Sequence, residues 1–253
     1  MKCSGRFAYA QARVQARFAR LPADEEWQRL AAARTLAAFL EEARVGALRA
    51  WIKGFSGQSN THDLEAGVRI LFRETVEEVA AWVPESWRCA VLWTRWLILL
   101  PLLAHLSRGG TVPPWVGRDP FLHRLLGDDG ALDPDRLRRA GAGPLAPAPA
   151  DPVMAWELEW RRRQPACKRE LLRPMDDLAK LLGTHEALFR QTRPEATWGL
   201  RVELRSRLSL LFHRRLLQPA GPFIFLMLTA LDLERLRAEL VTRAIFAGGE
   251  GMA

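Results

Sequence analysis

Three cysteines, Cys3, Cys89 and Cys167, are all that the chain carries, and no two of them stand in a CxxC arrangement. An odd number at such wide spacing excludes a disulfide framework and a thiolate zinc site, and it fits a reducing cytosol. The five histidines, His62, His105, His123, His185 and His213, are each isolated. None has a second His or Cys three or four residues on, so no helical face presents two metal ligands. His185-Glu186 opens like a metalloprotease signature, but Phe189 stands where the second histidine belongs. The chain also lacks GxSxG, GxxxxGK[ST] and GxGxxG, which removes the nucleophile elbow and the common phosphate-cradling loops. The adjacent carboxylates Asp128-Asp129 and Asp176-Asp177 read as turn and cap residues. The expectation is a protein with no catalytic residues, no metal and no cofactor, that is, not an enzyme.

Long uncharged apolar runs are missing too. The most apolar segment, Cys89 to Leu106, contains Arg95 and Pro101, and its longest uncharged run reaches only from Trp96 to Ala104. A membrane-spanning helix needs roughly 20 such residues, so a buried core helix is the expectation. The first twenty residues intersperse Lys2, Arg6, Arg13, Arg17 and Arg20 among short apolar stretches, unlike a secretory signal. Lysine contributes only four of the 37 basic residues, and the net charge of +8 is therefore carried by arginine. Such an excess suits a polyanion, an acidic partner, or simply solvated helix faces.

What is present is helical periodicity. At 49% apolar and 26% charged residues the composition is that of a folded globular chain. An Ala/Arg-rich helix is predicted before Pro22, and acidic Asp24, Glu25 and Glu26 open the next. Asn60 or Thr61 caps an amphipathic helix, 63–83, whose stripe is Leu64, Val68, Leu71, Thr75, Val79 and Trp82, with Arg69 and Arg73 off it. Pro84 ends that helix. A Trp-rich helix follows to Arg108, which Pro101 should kink. The tract Ala140 to Pro152 reads as an extended linker. Helices then return at 153–164, 167–182, 195–217 and 222–246. The fold class predicted is all-α, a two-lobed helical bundle with an N-terminal lobe 1–110, an irregular connection 111–152 and a C-terminal lobe 153–253. Shifting the chain by 135 residues lays Pro84 on Pro219 and one amphipathic-then-apolar helix pair on another, as duplicated helical units would.

Trp156 and Trp160, four residues apart, lead into Arg161, Arg162 and Arg163. This is the most concentrated basic stretch, and these five residues are the candidate partner-binding surface. Nucleic acid is not the expected partner, because no recognised nucleic-acid-binding motif accompanies the charge.

Four segments, taken in order, resemble the C-subunit (d-subunit) family of V-type and archaeal-type rotary ATPases. They are YAQARVQARFARL from Tyr9, DLEAGVRILFRETVEEVAAWVP from Asp63, LWTRWLILLPLLAHLSRGG from Leu92, and FIFLMLTALDLERLRAELVTR from Phe223. In the last, an apolar run meets an acidic residue and then the pair Leu236-Arg237. Family members are generally longer, with three similar helical lobes, and carry an Asn before that Leu-Arg pair. The resemblance implies a non-catalytic central-stalk subunit at the cytoplasmic face of the membrane. There it would link the rotor ring to the stalk of a proton- or sodium-translocating ATPase, with the ring and stalk subunits as partners. The alternative is a helical adaptor that holds an acidic protein or nucleic acid through the basic Trp/Arg surface.

Overall fold

Caps and breakers set the helix ends. The computed structural model describes residues 7–146 and 151–247. Helix α1, Ala8–Phe18, stops short of Pro22, and α2, Asp24–Ala31, begins on its three acidic residues, which suit the positive end of the helix dipole. The Thr35 side chain caps α3, Leu36–Ala43, accepting from the Ala38 N–H at 3.2 Å. Asn60 caps α4, Thr61–Trp82. Its Oδ1 accepts from the Asp63 N–H at 3.0 Å while its Nδ2 donates to the Asp63 carboxylate at 2.6 Å.

The apolar run after Pro84 is not one kinked helix. It divides into α5, Glu85–Trp93, a 3-10 stretch, Thr94–Leu99, and α6, Leu100–Leu106. Pro101 falls in the first turn of α6, where a missing N–H costs nothing, so the chain restarts a helix instead of bending one. By length and composition the run Glu85–Leu106 could cross a membrane, although half of its apolar window is buried within the protein. Trp87, Val91, Trp93, Trp96, Leu99 and Leu103 are among its buried residues.

Three short helices follow: α7, Trp115–Arg118, α8, Pro120–His123, and α9, Pro134–Leu137. Asp119 caps α8 and Asp133 caps α9, each through two backbone N–H groups. After α9 the chain makes a π turn, Arg138–Ala142, which Gly141 permits at φ +83°, then a 3-10 turn, Gly143–Leu145. Ala142 and Leu145 are fully buried, so this part of the predicted linker is packed and not extended; residues 147–150 lie outside the described residues. The long helices α10, Pro152–Arg162, α11, Arg169–Gln191, α12, Thr197–Arg214, and α13, Ala220–Ala247, complete an all-α protein that is 75% helical. Among the described residues there is no strand, only an isolated bridge between Leu126 and Leu132.

Two compact units arise, each from interleaved segments and not from the consecutive stretches 1–110 and 153–253. Unit 1 takes residues 1–19, 75–95 and 160–231; unit 2 takes 20–74, 96–159 and 232–253. The core of unit 1 is aromatic. Phe7 meets Trp87 edge-on at 5.9 Å, Phe223 meets Trp87 at 6.2 Å and Trp160 at 5.4 Å, and Phe18 stacks on Phe212 at 4.5 Å. Leu217, at φ +59°, turns the chain between α12 and α13, and its N–H donates to the Gln11 side chain of α1 at 3.1 Å. The buried residues of unit 2 include Leu30, Phe39, Leu64 and Phe72, and Leu233, Leu236 and Leu240 of α13. Trp96 lies against Phe121 there at 5.6 Å.

Candidate functional site

The basic stretch on α10 separates into interior and surface. Trp156 and Trp160 are 3% and 1% exposed, so neither indole is presented to a partner. Their i,i+4 spacing marks the apolar stripe of α10, where two large rings serve burial, as the Trp160 contact with Phe223 illustrates. Arg161, on the exposed side, pairs with Asp176 at 2.8 Å, and the Arg163 guanidinium lies over the Trp93 ring at 4.5 Å. Arg162 is exposed in the last turn of the helix. Asp176 and Asp177 are not caps. Both sit inside α11, and Asp177 receives Arg215 at 2.5 Å.

Charge converges instead inside unit 2, on helix faces that look solvated in the sequence. Arg73 is buried and forms a two-pronged pair with Asp119, at 2.6 and 2.7 Å. The Asp119 carboxylate, with no exposed surface, also accepts the Phe121 and Leu122 N–H groups at 2.9 and 3.2 Å. A second cluster centres on Glu65, which pairs with Arg69 one turn along α4 and, through its other oxygen, with Arg237 at 2.7 Å. Arg237 also donates to Glu234 at 3.0 Å, and Arg69 lies over the Trp115 ring at 3.8 Å. Burial pushes the Glu65 carboxyl up, but Arg69 and Arg237 outweigh it and hold it below the ordinary range. Burial likewise opposes the charge on Arg237, and Glu234 and Glu65 more than restore it. Arg243 donates to the carbonyls of Ala33 and Leu30 and pairs with Glu239 at 2.5 Å. These charges are neutralised by one another. Such an arrangement fixes segments in place.

Open surface has a different character. A hollow of about 740 Å³ beside α8 and α9 is lined by Phe121, His123, Arg124, Leu125, Arg136 and Arg139. The α11–α12 hairpin leaves Leu188, Trp198 and Val202 exposed, with Trp198 and Val202 on one face of α12. Burial lowers the pKa of His185 on this hairpin; nearby Arg201 pushes the same way, and Glu203 opposes them. Neither feature is visible in the sequence as a motif. The hollow joins residues on both sides of a turn that the Leu126–Leu132 bridge closes, and the hairpin's apolar residues match an ordinary helical stripe. Among the described residues no group of three or more His, Cys, Asp or Glu converges in a metal-binding arrangement. Compared with protein families, curated proteins and solved structures, the chain matches no family model, no curated relative and no solved structure.

Proposed function

We propose that this protein is a non-catalytic central-stalk subunit of a V/archaeal-type rotary ATPase, linking the membrane rotor ring to the stalk. One observation carries the reading. Arg237, of the Leu-Arg pair in the closing helix, binds Glu65, near the start of the acidic-led helix, at 2.7 Å. Two of the segments that carry the family resemblance are thereby joined by an ion pair. Arg235 to Asp24 and Arg243 to the Leu30 carbonyl of α2 extend the same bracing from α13. A part that transmits torque needs cross-braced helices of this sort, because packed interiors resist deformation. In cells it would sit at the cytoplasmic face of the membrane. The test is a tagged copy of the full chain purified from its source cells in mild detergent. Rotor-ring and stalk proteins should co-purify, and deletion of the chain should abolish ATP-driven proton or sodium pumping. A monomer that brings down no ATPase component, with pumping intact in its absence, overturns the reading.

A second reading, a helical adaptor for an acidic protein, draws on the exposed Trp198 and Val202 beside the arginines of the α11–α12 hairpin. It moves the contact surface from α10, whose tryptophans are interior, to that hairpin. Capture of an acidic protein that is lost on Trp198→Ala, with no ATPase component present, would favour it.

A further inference from the structure

We propose that the hollow beside α8 and α9 is a binding site for a phosphate group carried on an apolar or aromatic body. Its lining has two chemistries. Phe121, Leu125 and Ala140 are apolar, while His123, Arg124, Arg136 and Arg139 are basic, and no carboxylate lines it. The three arginines are not equivalent. Arg136 is already engaged: it donates to the Leu126 carbonyl and lies 3.3 Å from Asp133 and 3.4 Å from Asp128. Arg124 and Arg139 hydrogen-bond only through Nε, to the carbonyls of Pro120 at 3.0 Å and Asp135 at 3.4 Å, and Arg139 also stands close enough to Asp133 to attract its carboxylate. Among the described residues their terminal nitrogens have no acceptor. An Nε anchor on a backbone carbonyl orients the guanidinium and leaves its outer nitrogens for a ligand. Paired N–H groups of that kind match the oxygens of a phosphate.

The apolar side is backed by interior groups. Phe121 is half-buried, its ring backed by Trp96 at 5.6 Å and by the Arg73 guanidinium at 5.1 Å. Arg73 in turn is fixed by Asp119. A ring held this way can take a flat or apolar group without ordering itself first. The hollow is open to solvent and measures about 740 Å³. The neighbouring carboxylates set the upper limit on size. Asp128, Asp133 and Asp135 stand around the turn that carries Arg136 and Arg139, and they repel an extended polyanion while leaving room for one compact anion. The inference is independent of the stalk reading.

The test uses the full chain at low salt, with ADP and inorganic pyrophosphate as calorimetric probes and phosphatidylglycerol vesicles in co-sedimentation. ADP should bind at least threefold more tightly than pyrophosphate, because only ADP has a body to lay on Phe121. Arg124→Ala and Arg139→Ala should each weaken ADP at least tenfold, with circular dichroism unchanged. Arg207→Ala, an exposed and ion-paired arginine of α12, should leave binding as it was. Vesicle binding that Arg139→Ala removes, without ADP binding, would assign the same chemistry to a lipid headgroup. No binding to any of the three probes, or equal loss in Arg207→Ala, overturns the site.

Discussion

Removing one member of a buried ion pair leaves the other charged and unpartnered, at a cost of about 3–5 kcal/mol. Arg73 and Asp119 are the clearest such pair here. Arg73→Met should therefore destabilise the protein by about that amount in urea denaturation. Adding Asp119→Asn should recover more than about 1 kcal/mol, since the amide removes the stranded charge and its oxygen still caps α8. If the double variant is no more stable than the single, the pair is not what holds Asp119 in place. Glu65 makes a prediction in pH. Its folded pKa lies below its ordinary value, so it contributes stability that is present above the unfolded pKa and is lost as pH falls through the folded one. Wild type should be more stable than Glu65→Gln at pH 7, and the gap should close as the pH drops below about 4.5. Thermal melts at pH 7 and pH 3 would show this, and a gap that stays constant would contradict it.

At the scale of elements, α4 shows what a helix carries beyond its apolar stripe. Gly67 sits inside it, where alanine would ordinarily gain about 1 kcal/mol in helix propensity. A Cβ at this position would, however, run into the Phe55 ring, which packs against the helix from the preceding loop. Gly67→Ala should therefore destabilise wild type by about 1–3 kcal/mol. In a Phe55→Ala background the same change should stabilise by about 0.5–1 kcal/mol. Chemical denaturation of the four proteins checks the reversal of sign. The extent of α4 is legible from Asn60 and Pro84, yet its buried face is only partly so. Phe72 and Val76 are interior, whereas the Leu71 and Thr75 of the predicted stripe are half-buried, and Arg73 is interior. Periodicity treats an arginine as outward-facing because a lone charge cannot be buried, and a partner 46 residues away gives no local signal. The same blindness puts Trp156 and Trp160 on a surface: an i,i+4 pair of tryptophans looks alike whether it faces solvent or a core. The arginines of the hollow escape for a related reason, since Arg124 and Arg139 come together only once the intervening turn is folded. The order of helix, proline and apolar helix at Pro84 and again at Pro219 is legible, because proline acts within one turn of itself.

For the whole molecule, chain order and compactness do not coincide. Each unit needs residues from both sides of the Pro-rich tract: unit 1 joins 1–19 and 75–95 to 160–231, and unit 2 joins 20–74 and 96–159 to 232–253. In unit 1 the Trp87 ring has Phe7 from its own side of the tract and Phe223 from the other. In unit 2 the carbonyls of Leu30 and Ala33 are met by Arg243. A fragment ending before the tract would expose those rings and orphan those carbonyls, and a single buried aromatic truncated to alanine already costs about 3–5 kcal/mol. That is a large part of the roughly 5–15 kcal/mol by which domains are stable. Fragments 1–146 and 151–253 made separately should therefore fail to melt cooperatively. Co-expressed, they should co-purify as a helical complex, and a protease site inserted between Ala146 and Asp151 should yield a nicked protein that stays together on size exclusion. A cooperative melt from either fragment alone would mean that the interleaving is dispensable, and that the tract separates two self-sufficient halves after all.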